Sequence, residues 1–405
     1  MRSLVPVVSA LSILLLACGE STPVDNTDAG TPSDAGTDAF EPFDGGPSPD
    51  ANVGDPDAGA DPDVGVLDAA PPDPDAGTPD AGDMDAGPLT AEACFAAQFV
   101  TPPEIGPEYD VFMPTIGTHC KGTNHQDITG VERVVFLGDS VTVGTPPARA
   151  TDFYRVQLAN QLAERFDLDK NAGVLHGFQY ERWSNVDVFD GISTTRNAGD
   201  FSSCARWGAR ADDMLRDGTQ IEDCFPVMER DRRTLVVMTM GGNDVSNLTS
   251  GMKDGETIED LWLQAQEAVD LFEDGIEWLK EPGRFSNGVF VVFANIYEFT
   301  DGTGDLTSCP GAELAGWGDP LPDPEAMAEI VIWLNEQFMR IAVETGTDMT
   351  FMLEAFCGHG FNADDPSAPC YRGPGAETWF DLTCIHPNAT GHDAITDLFM
   401  SVVEE

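Results

Sequence analysis

Ser140 closes the tripeptide Gly138-Asp139-Ser140, and His386 stands far downstream in Cys384-Ile385-His386-Pro387-Asn388. A serine hydroxyl is a weak nucleophile until a neighbouring base takes its proton, and histidine is the side chain whose pKa suits that task. Two further stretches hold groups that donate a hydrogen bond without carrying charge. Trp207-Gly208-Ala209 sets a glycine ahead of a helical pattern, where a backbone N–H can approach a ligand closely. Gly241-Gly242-Asn243-Asp244 sets a side-chain amide just past an apolar run. A nucleophile, a base and neutral N–H donors are what acyl transfer to water requires. The base removes the hydroxyl proton, and the donors stabilise the oxyanion as its charge develops. Taken singly each stretch is weak: a Gly-Asp-Ser recurs by chance and usually marks a turn, and a glycine or asparagine at these places can be a helix entry or a cap. Their weight comes from the elements that carry them.

Val134-Val135-Phe136-Leu137 reads as a buried strand running straight into Gly138. Ser140 therefore falls at the carboxyl end of a buried strand, where open α/β sheets place their ligands. Apolar residues at helical spacing predict a helix over Asp152–Leu162. A second strand is weakly marked at Val186-Asp187-Val188-Phe189, and Cys204 to Arg210 leads into a helix through Leu215. Thr234–Met240 is a clear third strand and ends in the Gly-Gly-Asn-Asp stretch. Beyond it the pattern predicts a helix over Thr257–Lys280, a strand over Gly288–Asn295 and a helix over Pro324–Thr345. A fifth strand over Met349–Leu353 and a closing helix from Asn388 to the terminus complete the chain. Strands that alternate with helices and are apolar throughout predict a parallel sheet covered on both faces, a three-layer α/β/α domain over residues 91–405. Residues 91–130 are Pro-rich and irregular.

In this order the four blocks resemble those of the SGNH (GDSL) hydrolase family: Gly138-Asp139-Ser140, Gly208, Gly241 to Asp244, and His386-Pro387. The resemblance runs from Gly138 to the end of the chain. It implies a flavodoxin-like parallel sheet and hydrolysis of carboxylic esters or thioesters without a cofactor or metal. By the same resemblance Ser140 is the nucleophile and an oxyanion donor through its own N–H. Gly208 gives a second N–H, Asn243 a side-chain amide, and His386 the general base. Two departures stand out. The family usually has an aspartate three residues before the histidine to orient the imidazole; here that residue is Thr383, and Asp381 lies five before. Either Asp381 or a backbone carbonyl is left to orient the ring. The glycine block has a second candidate in Asn197-Ala198-Gly199. The expected substrates are lipid or short-chain acyl esters. Alternatives are O-acetyl groups of a polysaccharide, or a catalytically silent surface lipoprotein that binds a glycan or protein through the same cleft.

Composition fixes the setting. The chain has 405 residues and a formal net charge of −51. So acidic a protein lacks the Lys and Arg that phosphate contacts need, which excludes nucleic acid and disfavours docking directly on anionic lipid. Residues 1–17 hold Arg2 and an apolar run too short to span a membrane. The run ends Leu15-Leu16-Ala17-Cys18, which resembles the lipobox of bacterial lipoproteins. That resemblance implies cleavage before Cys18, its lipidation, and export to the cell envelope. Gly19 in place of an aspartate favours the outer membrane or cell surface over the inner membrane. Residues 18–90 are rich in Asp, Ala, Gly and Pro, have no Lys or Arg, and read as a disordered tether. About 70 residues of such coil reach on the order of 45–50 Å. A calcium-binding Asp repeat is the competing reading, but the spacing is irregular.

Eight further cysteines, an even number, predict disulfides in an exported chain. Cys94–Cys120 and Cys204–Cys224 would close short loops. No Cys-x-x-Cys occurs, and His119 and His125 have no adjoining ligand set, so a zinc or thiol hydrolase is disfavoured. His392 and His359 read as structural. Asp301-Gly302-Thr303-Gly304-Asp305 reads as a turn, since Ala312 stands where a calcium loop needs glutamate. A monomer is expected.

Overall fold

Five strands form a single parallel sheet in the computed structural model, which describes residues 100–101, 104–105, 121–170, 172–175, 178–181, 186–193, 199–215, 220–313 and 315–405. They are β1 (Arg133–Gly138), β2 (Phe201–Ser203), β3 (Thr234–Thr239), β4 (Val289–Ala294) and β5 (Asp348–Thr350). The order across the sheet is β5-β4-β3-β1-β2. Read from the other edge this is 2-1-3-4-5, the doubly wound order in which the winding reverses between β1 and β3. Arg133 pairs with Thr234 and Gly138 with Thr239, so these two strands end level with each other.

Both faces are covered. Val134, Phe136, Leu235, Val237 and Val292 face α1 (Tyr154–Phe166) and α5 (Ala389–Glu404). The alternate residues Val135, Leu137, Val236, Met238, Val291 and Phe293 face α2 (Gly242–Asp254), α3 (Ile258–Lys280) and α4 (Pro324–Thr345). The pleat sends successive side chains to opposite layers, so a strand buried on both sides must be apolar at every position. Each such side chain contributes roughly 1.5–3 kcal/mol by leaving water. This is the three-layer α/β/α fold expected from the alternation.

Helix ends follow local chemistry. Thr257, Asp323 and Asn388 cap α3, α4 and α5 by accepting from the backbone N–H groups of Asp260, Ala326 and Gly391. α4 has Pro324 at its first position and Gly346 past its end, and its bounds coincide with the sequence expectation.

Four expectations need correction. Val186–Asp187 is no strand of the sheet: it pairs antiparallel with Ile192–Ser193 in a small hairpin. The second sheet strand is Phe201–Ser203, whose serines hide it; Ser202 Oγ accepts from the buried Arg133 guanidinium, 2.9 Å away. The helix expected through Leu215 is a single 3₁₀ turn over Ala211–Asp213. The fifth strand ends at Thr350, and a short helix over Met352–Phe356 follows. Finally, the pattern offers no helix between Asp244 and Thr257, yet α2 fills that span. Val245, Leu248, Thr249 and Met252 are buried at helical spacing, and their burial outweighs the poor propensity of the intervening Ser, Asn and Gly.

Disulfides join Cys204 to Cys224, as expected, and also Cys309 to Cys384 and Cys357 to Cys370. The leader over 1–17, Cys18, the tether over 18–90, Cys94, His119 and Cys120 lie outside the described residues.

Candidate active site

β1 ends in a turn whose backbone requires glycine at position 138. Gly138 has φ +127°, and a Cβ there would lie 2.1 Å from Thr239 O of the neighbouring strand. Gln220, which the sequence did not single out, clamps Gly138 from the other side. Its amide accepts from the Gly138 N–H at 2.9 Å and donates to the Gly138 carbonyl at 3.0 Å. The next residue, Asp139, caps a one-turn helix over Ser140–Val143. Its Oδ1 accepts from the Val141 N–H and from the Thr239 hydroxyl, each at 3.0 Å. Burial lifts this carboxyl to about 6, against the pull of those bonds. The outcome is a buried Ser140 at the start of a helical turn. Among the described residues, no hydrogen bond occupies its N–H.

The other strand ends converge on the same turn. Past β2 the chain stays in register with β1: Cys204 N–H donates to Phe136 O, and Arg206 N–H to Gly138 O, each at 3.0 Å. This runs Trp207-Gly208-Ala209 alongside the nucleophile turn, and Trp207 Nε1 donates to Gly144 O at 3.0 Å. Gly208 is exposed, with φ +76°, and among the described residues its N–H has no hydrogen-bond partner. Asn243, at the start of α2, donates from Nδ2 to Ala209 O at 2.9 Å. Asp244 accepts from the Ala211 N–H, and burial lifts its carboxyl to about 7. Ser140, Gly208 and Asn243 thus stand on three adjacent strand ends. The competing glycine block Asn197-Ala198 lies outside the described residues; its Gly199 precedes β2, at the opposite end of that strand.

His386 arrives from the far end of the chain. Its Nε2 lies 2.9 Å from Ser140 Oγ. The loop that presents it closes on itself: Asp381 N–H donates to His386 O at 2.9 Å, and Phe380 and Pro387 form a β-bridge. Tyr297, just past β4, donates its hydroxyl to Ile385 O, and Cys384 is bonded to Cys309. Burial lowers the imidazole to about 4, so it is neutral at neutral pH and able to accept a proton.

On the other side of the ring, Nδ1 meets Thr383 Oγ1 at 2.9 Å. The Thr383 hydroxyl lies 2.5 Å from Asp381 Oδ1, and the Thr383 N–H donates to the same oxygen at 2.7 Å. Asp381 is thus brought to the histidine, but a hydroxyl stands between them. Thr383 is the residue that spacing rules missed, because they seek a carboxylate three before the histidine and have no place for a hydroxyl there.

The remaining singled-out groups are absorbed by structure. His392 is buried against Phe153 and Tyr154, and its Nδ1 accepts from the Tyr154 N–H. His359 stacks on Trp379 with ring centroids 3.7 Å apart. The Asp301 carboxylate accepts from the N–H groups of Gly358, Gly360 and Asn362, which makes its loop a turn with a buried anchor.

No curated protein matches the chain. Among solved structures it is similar to a phospholipase A1 from Streptomyces albidoflavus NA297, at 15% identity and a TM-score of 0.41, over 67% of this chain and 99% of that one. It is similar to an extracellular lipase from Streptomyces rimosus, at 16% identity and a TM-score of 0.39, over 67% of this chain and 100% of the other. A two-domain esterase active on acetylated mannans matches at 13% identity and a TM-score of 0.32, over 68% of this chain and 48% of the esterase. The model of the GDSL-like Lipase/Acylhydrolase family matches residues 136–394, a span that holds Ser140, Asn243 and His386, and the chain belongs to that hydrolase family.

Proposed function

We propose that the protein is a serine esterase that hydrolyses lipid or short-chain acyl esters. The observation that carries this reading is the 2.9 Å approach of His386 Nε2 to Ser140 Oγ, with the Ser140 and Gly208 N–H groups free of partners among the described residues. In the first step His386 Nε2 takes the Ser140 proton as Oγ attacks the ester carbonyl. The oxyanion is received by the N–H groups of Ser140 and Gly208 and by the Asn243 amide, donors that suit developing negative charge. Collapse breaks the ester C–O bond, and His386 protonates the departing alkoxide. Water then repeats the sequence on the acyl-serine and releases the acid, with Asp381 as the carboxylate that supports the imidazole.

Apolar acyl groups suit the rim. Phe189, 86% exposed, tips the hairpin whose Gly191 O accepts from the Trp207 N–H, and Leu382, 66% exposed, sits on the histidine loop. Two large apolar side chains held in water, on the two loops that reach the Ser140 turn through Trp207 and His386, favour a greasy ligand over a sugar. The Cys18 motif and the three disulfides among the described residues support an envelope-anchored enzyme outside the cytoplasm.

The test is hydrolysis of a p-nitrophenyl ester series by the full chain and by Ser140→Ala. The expected result is activity in the former and a loss of at least about 10³-fold in the latter, with Ser140 alone labelled by a fluorophosphonate. Equal rates in the two proteins would remove Ser140 from the mechanism.

A further inference from the structure

We propose that Thr383 is the positioning residue of His386: its hydroxyl fixes the imidazole in the tautomer that leaves Nε2 free to accept the Ser140 proton, and Asp381 acts on the ring only through that hydroxyl. This rests on the esterase reading of Ser140 and His386.

The argument is one of proton counting. A threonine hydroxyl has one hydrogen to give and two lone pairs to offer. Thr383 Oγ1 has three polar neighbours: Asp381 Oδ1 at 2.5 Å, His386 Nδ1 at 2.9 Å and the His386 backbone N–H at 3.3 Å. An ionised carboxylate only accepts, so the hydroxyl hydrogen goes to Asp381. The backbone N–H only donates, so it takes one lone pair. The other lone pair faces Nδ1, which must then carry a hydrogen. With Nδ1 protonated, the neutral ring presents a bare Nε2 to Ser140 Oγ. Every polarity in the chain from Asp381 to Ser140 is therefore set by the carboxylate, relayed through one hydroxyl.

Asp381 has no competing route to the ring among the described residues. One of its oxygens takes both the N–H and the hydroxyl of Thr383, and the other, Oδ2, is buried with no hydrogen-bond partner. Among the described residues, Tyr297 from beyond β4 interacts electrostatically with Asp381, and His392 from α5 with His386. Burial holds Tyr297 well above the usual phenol value and His392 at about 3, so neither is charged at neutral pH. The Asp381 carboxyl itself is lifted to about 6 by burial, against its two bonds from Thr383, and is ionised at pH 8.

The experiment uses the full chain at pH 8, with p-nitrophenyl butyrate as substrate and ¹⁵N-histidine labelling. Thr383→Val keeps the shape and removes the hydroxyl. It should lower kcat about 10²–10³-fold while KM stays within about threefold, and Thr383→Ser should stay within about fivefold of wild type. Adding Asp381→Asn to Thr383→Val should change kcat by less than about threefold, although Asp381→Asn alone costs much more, because the carboxylate has lost its route. In the wild type the His386 ring should carry its hydrogen on Nδ1, with a mixture of tautomers in Thr383→Val. Wild-type kcat in Thr383→Val would overturn the proposal, as would a full Asp381→Asn cost in the valine background. A hydrogen on Nε2 in the wild type overturns it as well, whether or not the valine variant folds. Activity unchanged in Ser140→Ala would instead sink the esterase reading, while the tautomer measurement would still judge Thr383.

Discussion

The serine side and the histidine side of the site are built from different material. Ser140 is held on strand pairing: Asp139 N–H and Arg206 N–H continue the ladders on either side of β1, Gly138 fits against Thr239 O with no room for a Cβ, and the Gln220 and Asp139 side chains only lock the turn onto that frame. His386 is held by side chains. Its loop closes on itself and packs Cys384 and Ile385 against the core, but among the described residues its hydrogen-bonded and covalent links to the rest of the molecule are the Tyr297 hydroxyl, the Cys309–Cys384 bond and the Ser140–His386 contact. Main-chain positioning is stiff and indifferent to most substitutions. Side-chain positioning is adjustable, and each part can be removed singly. The two sides should therefore fail differently.

The largest effect belongs to the serine side. Gly138→Ala sets a methyl 2.1 Å from a carbonyl in the middle of the sheet, at a φ of +127° that an L side chain resists. Neither β1 nor β3 can yield without breaking paired strands, so the cost should be on the order of 4–5 kcal/mol. Urea unfolding reads this as a large fall in midpoint, with activity lost in step. An unchanged midpoint would show that the strand end has slack, and the contrast between the two sides would vanish.

The histidine side should lose function before it loses the fold. Replacing Cys309 and Cys384 together by alanine removes a link across a sequence separation of 75 and should cost about 3–4 kcal/mol. Cys384 lies between Thr383 and His386, so kcat should fall about tenfold or more through looser placement of the ring. Amide exchange makes the comparison direct. Protection over 381–386 should drop, while that over 134–143 should stay at the wild-type level once the global change is subtracted. Equal losses in both segments would mean that the loop and the turn unfold as one unit.

The same division explains what was legible in the sequence. The strands around Ser140 are apolar at every position because both faces are buried, so their pattern and the Gly-Asp-Ser that follows could be read directly. Gly241 to Asp244 was legible for the same reason, as the end of β3. The short edge strand Phe201–Ser203 was not, because a three-residue strand carrying two serines looks like a loop until Arg133 is known to bond with Ser202. Gln220 and Tyr297 were invisible too. Each acts on a backbone group far away in sequence, and no local spacing encodes such a contact. For the histidine loop the sequence placed His386 and raised Asp381, but it could not show that a five-residue offset works by passing through Thr383. Periodicity reports which face of an element is buried; it says nothing of how an irregular loop folds onto a site.

Tyr297→Phe gives the smallest and most discriminating break. The ring would keep its stacking on Phe356, with centroids 5.2 Å apart, and its edge contact with Phe380, so packing changes little. Only the hydroxyl that donates to Ile385 O is lost. One such bond contributes about 1 kcal/mol net, and the half-buried position of Ile385 lets water replace part of it. The expected change is therefore a fall of about 1 kcal/mol in unfolding free energy and a decrease in kcat of about two- to fivefold, with KM unmoved. Because Ile385 adjoins His386, the kinetic effect should exceed that of removing one hydroxyl bond at the opposite end of the sheet, such as Thr234→Val at the start of β3, which loses only the bond to Arg232 O. If the two variants lose stability alike and lose no activity, the hydroxyl merely braces the fold and the histidine loop is positioned by its disulfide alone. If only Tyr297→Phe slows the enzyme, the loop is aimed by side chains one contact at a time.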